Sequence, residues 1–358
     1  MSEHPPSISP DLLQGTPYRT IGPAIGRGGM AEVYEGEHLD LEKRVVIKVL
    51  HAELCEDPRV AHRLLVEARA LSAIESPHIV AARDFGRTPT GRAYLVLERL
   101  EGRTLREELR IRGALPVGEA IGYVLQVLEG LGAAHRQGII HRDIKPDNVF
   151  LCRRAEGEAP LVKLLDFGIA KVREGGRRRA LHEQPTQAGT VIGTPRWMAP
   201  EQALCRPVDE RADLYAVGLL LYTLIAGRGP FGGLQSPMSL LRAQVEEAPA
   251  PLASVALQPI PAGLDACLSR ALSKQPEQRL ASAGELAEAL NRVLRLSEPA
   301  RSGDGTLILG HVHPSPEAGL GPAIAPVPGA RHLSLFVALT LGSAAIFFAI
   351  AVHFLGGR

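Results

Sequence analysis

Several features are scarce in this sequence, and each scarcity excludes a class of protein. Only 4 of the 358 residues are cysteines, and they lie far apart without a CxxC pair. This argues against a disulfide framework or a cysteine zinc site and fits a reducing compartment. The net charge is only +1, so no basic surplus points to nucleic acid as a partner. Residues 1–17 lack a basic segment followed by an apolar core, so we expect a disordered leader rather than a signal peptide.

A long uncharged apolar run occurs near the C-terminus. Residues 333–355 contain no Asp, Glu, Lys or Arg, and at ~1.5 Å per helical residue they can cross a ~30 Å hydrocarbon core. A buried core helix would also be apolar, but residues 297–332 before it are rich in Pro, Gly and Ala, which is typical of a linker. We therefore predict a juxtamembrane linker, one transmembrane helix and a short tail, 356–358. Small residues four apart, such as Ala338 and Gly342, are compatible with pairing of two copies as a homodimer, although this spacing is common by chance.

The residues that flank the apolar run predict its orientation. Arg331 and His332 precede it, and only Gly356, Gly357 and Arg358 follow it. By the positive-inside rule we expect a single-pass protein of the cell membrane whose main domain faces the cytoplasm, with no sensor domain on the far side.

The octapeptide His-Arg-Asp-Ile-Lys-Pro-Asp-Asn at 141–148 is the most informative motif. It lies between a long apolar helical run and a short apolar strand, so it is a loop held between packed elements. Such a loop can aim the Asp143 carboxylate at a hydroxyl, place the Lys145 charge near a transferring phosphoryl group and offer the Asn148 amide oxygen to a metal. A lone HxD triplet is more often an ordinary polar turn. The interpretation therefore depends on partner motifs elsewhere in the chain.

A glycine turn lies between two predicted strands, 18–26 and 30–39. Its residues Gly26, Arg27, Gly28 and Gly29 allow backbone amides to approach phosphates closely, because glycine has no Cβ. The turn alone is weak evidence, since such glycine pairs are common in hairpins. Ala31 also stands where a third glycine would complete the G-x-G-x-x-G pattern.

A lysine and a glutamate follow the glycine turn in unusual surroundings. Lys48 lies within the β-branched strand 44–50, and Glu67 lies on the apolar stripe of a helix that spans about 57–73. An unpaired carboxylate on an apolar stripe would be costly to bury, so we expect Lys48 to pair with Glu67. The alternative is that both charges lie at element edges, in water.

A further acidic motif follows the octapeptide. Asp166 ends a predicted strand and is followed by Phe167 and Gly168, which makes it a good candidate ligand for Mg²⁺. A 36-residue segment then runs from Asp166 to Glu201 and closes with the sequence Ala-Pro-Glu. Segments this long inside a compact domain are usually functional or disordered.

In this order, the motifs resemble those of the protein kinase family over residues 18–296. Lys145 two residues after Asp143, with Thr194 before the Ala-Pro-Glu sequence, resembles the serine/threonine branch, and the Gly-Gly-Met turn resembles bacterial members. The resemblance implies an α+β bilobal fold with a β-rich N-lobe, 18–100, and a helical C-lobe, 101–296. It also implies ATP with Mg²⁺, or alternatively Mn²⁺, and protein substrates.

The resemblance also assigns expected roles residue by residue. The expected catalytic residues are Asp143, Lys145 and Asn148, and the expected metal ligands are Asn148 and Asp166. The expected ATP-binding residues are Ile25, Gly26, Arg27, Gly28, Gly29, Val33, Val46, Lys48, Glu67, Leu97, Glu98, Leu100 and Phe150. Thr186 and Thr190 are expected phosphorylation sites, with Arg142 able to pair with the added phosphate. Expected structural residues are Arg142, Thr194 (as a contact of Asp143 and Lys145), Glu201, Asp213 (as an anchor of the catalytic loop) and Arg279 (as the partner of Glu201).

Two other functions use the same fold. A membrane-tethered pseudokinase would bind without transferring phosphate, but its usual sign is loss of the lysine or of a catalytic or metal-binding acid, and all are present here. A small-molecule kinase typically lacks the lysine after the catalytic acid and the Ala-Pro-Glu segment. Both features are present in this sequence, which favours a protein kinase.

Overall fold

The computed structural model describes residues 12–55, 58–167, 195–234 and 236–297. Within these ranges, no helix combines the length and the apolar character that crossing a membrane requires. The predicted transmembrane helix at 333–355 lies outside the described residues, as do residues 298–332 of its linker and 1–11 of the predicted leader. Within residues 12–17 of that leader, Leu13 is fully buried in an apolar cluster with Tyr18 and Tyr34.

Five antiparallel strands form the N-terminal sheet, in the order β1-β2-β3-β5-β4. Their bounds are β1 Tyr18–Arg27, β2 Ala31–His38, β3 Lys43–Leu50, β4 Ala82–Arg87 and β5 Ala93–Glu98. The two strands predicted around the glycine turn are present within one residue of their expected ends. Strand β5 ends at Glu98, because pairing with β3 stops there and the chain leaves the sheet.

The helix predicted before residue 73 is present as α1, Pro58–Ala73, and packs against β4 and β5. Its apolar stripe is buried as the spacing predicted: Val60, Leu64 and Leu71 are at most 5% exposed. Glu67 on the same stripe is only 4% exposed, so the alternative in which this carboxylate stays in water is wrong. A charged side chain of α1 is therefore buried where the helix packs against the sheet.

The C-terminal lobe consists mainly of helices. They are α2 Leu105–Arg112, α3 Val117–Arg136, α4 Pro200–Ala203, α5 Arg211–Ala226, α6 Pro237–Glu246, α7 Leu264–Ala271 and α8 Ala283–Ser297. Thr104 starts α2 through a capping box with Glu107. α5 is buried on all sides from Ala212 to Ile225 and stops at Gly227, whose φ of 72° suits glycine. Packing of α3 against α5 and α8 forms the centre of this lobe.

A small three-stranded sheet lies where the two lobes meet. It consists of β6 Gly102–Thr104, β7 Val149–Cys152 and β8 Leu161–Leu164. β7 follows the octapeptide directly and β8 ends just before Asp166. Because β7 and β8 pair antiparallel, with Val149 opposite Leu164, the end of the octapeptide and Asp166 lie side by side.

A buried ion pair ties α4 to the segment before α8. Nη1 and Nη2 of Arg279 each lie 2.7 Å from one carboxylate oxygen of Glu201, as predicted. The remaining guanidinium N–H groups donate to the carbonyl oxygens of Ser273, Arg211 and Lys274. Every donor of this fully buried guanidinium therefore has a partner, which is the condition for a buried charge to be tolerated.

We expect replacement of Arg279 by methionine to lower the free energy of unfolding by about 3–5 kcal/mol, because Glu201 is then left charged, buried and unpaired. The double variant with Glu201→Gln should lose less stability than the single one. Chemical denaturation measures both. Arg242→Met, in the exposed α6 pair with Glu246, is the matched control and should change little. Equal effects of Arg279→Met and Arg242→Met would contradict the assignment.

Candidate active site

Asp213, at the start of α5, anchors the backbone of the octapeptide loop. Oδ2 of Asp213 accepts from the backbone N–H of His141 at 2.8 Å, and Oδ1 accepts from that of Arg142 at 2.7 Å. The ring of His135, in the last turn of α3, donates to Oδ2 at 2.8 Å. Arg142 has a φ of 64°, an uncommon conformation for a residue with a side chain. The anchoring role predicted for Asp213 is thus present, and it holds a strained residue next to Asp143.

His141 fixes the loop from a second side through a defined tautomer. Its Nδ1 accepts from the N–H of Asp143 at 3.3 Å, so Nε2 carries the proton and donates to the carbonyl oxygen of Leu165 at 2.9 Å. Burial lowers the pKa of His141, although Asp213 and Asp143 act against the shift. The ring also packs against Phe167, with centroids 4.5 Å apart. A neutral imidazole therefore links Asp143 to the residues around Asp166.

Lys145 and Asn148, two of the predicted catalytic residues, both lie within hydrogen-bonding distance of the third, Asp143. Nζ of Lys145 is 2.9 Å from Oδ2 of Asp143. Nδ2 of Asn148 donates to the backbone oxygen of Asp143 at 2.8 Å and to Oδ2 at 3.1 Å. Both bonds use the amide nitrogen of Asn148, which leaves Oδ1 as the atom suited to a cation. The cluster thus combines a half-buried carboxylate, a positive charge and an amide oxygen.

Lys48 contacts two carboxylates, one in each lobe. Its Nζ lies 2.9 Å from Oε1 of Glu67 in α1 and 3.2 Å from Oδ1 of Asp166. Burial alone would lower the pKa of Lys48, but attraction by Asp166 and Glu67 outweighs it and raises the pKa. The pKa of Glu67 is raised, chiefly by burial, with Asp166 adding to the shift and Lys48 opposing it. The predicted pair of Lys48 and Glu67 is present, and Asp166 is the second partner of the lysine.

Asp166 has one carboxylate oxygen suited to a cation. Oδ2 is buried and has no hydrogen-bond partner among the described residues, whereas Oδ1 faces Lys48. No group of three or more His, Cys, Asp or Glu side chains in the described ranges could hold a metal by itself. Mg²⁺ at nucleotide sites typically uses one or two carboxylates and completes its shell with phosphates and water. The donor set of Asp166 and Asn148 therefore fits Mg²⁺ bound together with a nucleotide.

The glycine turn lies at the far end of the sheet from the interlobe connection. Gly26 pairs with Val33 and Val33 pairs with Lys48, so the turn and the lysine share a corner of the sheet. Val46 and Lys48 are two residues apart in β3 and therefore share one face. The remaining predicted residues of this part, Ile25, Arg27, Gly28 and Gly29, form the end of β1 and the turn itself.

The connection between the lobes is expected to contact adenine through the backbone of Glu98 to Leu100, and the side chain of Glu98 bonds elsewhere. The Glu98 carboxylate accepts from Nζ of Lys163 at 2.6 Å and from the N–H of Ala81 at 2.8 Å. Its own N–H donates to the carbonyl oxygen of Ala81 at 3.0 Å. Only the backbone carbonyl of Glu98 is thus suited to a nucleotide. Phe150 is 1% exposed within the core, directly after the catalytic cluster, while Leu97 and Leu100 are half-buried.

Several predicted residues lie outside the described part of the chain. These are Gly168, the expected phosphorylation sites Thr186 and Thr190, and Thr194 with its expected contacts to Asp143 and Lys145. The roles expected of these residues therefore remain predictions.

The sequence did not predict the roles of four other residues that shape the site. His135 supports Asp213, Lys163 holds Glu98, and His51 lies against the glycine turn at 2.7 Å. Gln202 bridges two segments, because its Oε1 accepts from the N–H of Ala199 at 2.9 Å and its Nε2 donates to the carbonyl oxygen of Arg142 at 3.0 Å. Each of the four forms a hydrogen bond with a residue far away in sequence. Such contacts have no characteristic spacing along the chain, so the sequence does not indicate them.

We expect Gln202→Glu to lower kcat about threefold to tenfold, because a carboxylate keeps the acceptor for Ala199 but cannot donate to Arg142. The loss of this one hydrogen bond should loosen the strained residue beside Asp143. Gln278→Glu on the exposed surface is the matched control. Initial rates at saturating ATP measure the effect, and a kcat equal to that of the parent would contradict this role.

Comparisons with known proteins agree with this geometry. A family model described as protein kinase domain matches residues 19–292. The chain is 44% identical over 270 residues to serine/threonine-protein kinase Pkn1 of Myxococcus xanthus, covering 75% of this chain and 37% of that one. It is 38% identical over 276 residues to PknB of Mycobacterium leprae, covering 76% and 42% respectively. The crystal structure of the PknI kinase domain of Mycobacterium tuberculosis superposes with a TM-score of 0.57 at 28% identity, covering 77% of this chain and 96% of that one.

The chain therefore belongs to the protein kinase family, with the bilobal fold of that family. It is similar to bacterial serine/threonine kinases and spans less than half the length of the two curated relatives named above.

Proposed function

We propose that this chain is a serine/threonine protein kinase that transfers the γ-phosphoryl group of ATP to hydroxyl groups of proteins. The observation that carries the proposal is the contact of Lys48 with Asp166, at 3.2 Å across the two lobes. It brings the glycine turn, the cation-binding oxygen and the anchored loop of Asp143 to one cleft. Phosphoryl transfer depends mostly on such positioning and charge stabilisation.

In this proposal Asp143 accepts the proton of the attacking serine or threonine hydroxyl. The hydroxyl oxygen forms the new bond to the γ-phosphorus, and the bond from that phosphorus to the bridging oxygen breaks, so ADP leaves with the electron pair. Lys145, 2.9 Å from Asp143, supplies positive charge where the transferring group is negative. Lys48 and the amides of the glycine turn hold the phosphates.

The residues present fit a divalent cation, Mg²⁺ or Mn²⁺. When bound, such an ion neutralises phosphate charge. Oδ2 of Asp166 and Oδ1 of Asn148 would hold it. For adenine, the backbone of Glu98 and Leu100 provides the matching polar edge, and the half-buried side chains of Val46 and Leu97 provide apolar surface. The net charge of +1 provides no basic surplus for nucleic acid.

The proposal extends to residues outside the described ranges. The apolar run 333–355 supports a membrane anchor, with the kinase domain, 18–296, on the cytoplasmic side. Small residues in that run support pairing of two copies. Thr186 and Thr190 are the proposed sites of autophosphorylation, and Arg142 the cation that would receive the phosphate.

Incubation of the full chain in lipid with Mg²⁺ and γ-labelled ATP tests the proposal. Phosphoamino acid analysis and peptide mapping should find phosphothreonine at Thr186 or Thr190. A chain that binds ATP but transfers no label to any protein would favour the pseudokinase alternative. A pseudokinase usually lacks one of the residues Lys48, Asp143 and Asp166, and all three are present here. Label on a small metabolite alone would favour a small-molecule kinase.

A further inference from the structure

The strand β3 contacts the glycine turn through the first residue beyond its end. The backbone N–H of His51 donates to the carbonyl oxygen of Met30 at 3.0 Å. Nε2 of the His51 ring lies 2.7 Å from the carbonyl oxygen of Gly28. Because a carbonyl oxygen only accepts, the ring nitrogen is the donor. His51 therefore holds the turn at two points, on either side of Gly29.

The ring contact fixes the direction of the peptide group between Gly28 and Gly29. His51 is extended, with φ −59° and ψ 143°, so strand alternation puts its side chain on the face opposite Lys48. In a trans peptide group the C=O and N–H bonds point in opposite directions. With the Gly28 carbonyl directed to His51, the Gly29 N–H is directed to the side of Lys48.

The turn needs such a restraint, because two consecutive glycines have wide conformational freedom. A Cβ added at Gly29 would meet no atom within 4 Å, so packing does not hold this residue. The backbone N–H of Gly28 also donates to the carbonyl oxygen of Ala31 at 2.9 Å. His51 itself is supported by the thiol of Cys55, which donates to its carbonyl oxygen at 3.2 Å.

We propose that His51 is a positioning residue for nucleotide phosphates. It holds the Gly28 carbonyl so that the Gly29 amide is presented to the phosphate groups of ATP, and it thereby sets the affinity for the phosphates but not for adenosine. The inference rests on the proposed function, since it assumes that the glycine turn binds ATP. No covalent step involves His51.

The test compares the full chain with the variants His51→Ala, His51→Leu and His51→Gln. Calorimetry measures affinity for Mg²⁺ with a non-hydrolysable ATP analogue and, separately, for adenosine. We expect His51→Ala and His51→Leu to bind the ATP analogue about fivefold more weakly, the scale of one hydrogen bond, and adenosine as the parent does. His51→Gln should restore most of the affinity, because its amide nitrogen can occupy the place of Nε2. His62→Ala, an exposed histidine of α1, is the matched control.

Three results would overturn the inference: unchanged affinity for the ATP analogue, equal losses for the analogue and adenosine, or no recovery with His51→Gln. If His51→Ala does not fold, the comparison of His51→Leu, of similar volume, with His51→Gln decides the same question. Failure of the proposed function is seen separately in the parent. A parent that binds the analogue but transfers no phosphate contradicts the kinase proposal alone, and one that does not bind the analogue contradicts both.

Discussion

Replacing Asp143 by asparagine should lower kcat by about 10²–10⁴-fold, the usual contribution of general acid–base catalysis. Asparagine has the same shape and keeps an oxygen that can accept from Lys145 and Asn148, so the anchored loop should survive. What it lacks is the basicity needed to take a proton from the attacking hydroxyl. ATP affinity should therefore change little while turnover falls.

Rates at saturating ATP, with affinity for a non-hydrolysable analogue measured beside them, separate these two effects. Asp40→Asn, an exposed aspartate between β2 and β3, is the matched control and should retain full activity. A kcat within tenfold of the parent would show that Asp143 is not the base. An equal loss of nucleotide affinity would show that the substitution disturbs the cleft instead.

Replacing Asp166 by asparagine should lower activity by about 10²–10³-fold, the scale found when one electrostatic contact to a reacting group is removed. The substitution removes the charge of Oδ2, the buried oxygen that fits Mg²⁺, and weakens the contact to Lys48 at the same time. The concentration of Mg²⁺ that gives half-maximal rate should also rise, because the remaining ligands bind a divalent cation less well.

Titration of Mg²⁺ at fixed ATP tests this expectation, and Asp143→Asn serves as the internal comparison. The Asp143 variant should be slow but should keep the parent's dependence on Mg²⁺, whereas the Asp166 variant should shift it. Identical dependence on Mg²⁺ in all three proteins would remove Asp166 from the metal site.

The buried charges of the cleft were predictable from the sequence for a physical reason. A carboxylate on the apolar stripe of α1 needs a partner, and Lys48 was the suitable cation in the preceding strand. The same reasoning holds for α5, whose almost wholly apolar sequence predicts burial on all sides and whose end at Gly227 suits a left-handed residue. In each case the chain carries a local pattern that favours burial, and for Glu67 the resemblance to the protein kinase family favours Lys48 as the partner.

Strand β4 could not be predicted in the same way. Its sequence Ala-Arg-Asp-Phe-Gly-Arg is polar and lacks strict alternation, and it lies at the edge of the sheet, where one side has no neighbouring strand. Its structure comes from pairing with β5, with an irregularity between Ala82 and Asp84. Such tertiary pairing overrides weak local preference.

The contacts of Glu98, Gln202 and His51 could not be predicted from the sequence either. Each side chain bonds with a backbone group, and the partners of the last two are 60 and 23 residues away. Such contacts have no periodicity and no required residue type, since many donors could satisfy one carbonyl. The resemblance of motifs located Glu98 near the nucleotide, but only the folded chain shows that its carboxylate turns to Lys163.

We expect this cleft to move a phosphoryl group from ATP to a serine or threonine of a protein. The most direct measurement uses the full chain as enzyme and a tagged copy carrying Asp143→Asn as acceptor, with γ-labelled ATP and Mg²⁺. We expect phosphothreonine or phosphoserine on the tagged copy, only when the parent is present. Label released solely as inorganic phosphate, or no transfer despite bound ATP, would contradict it.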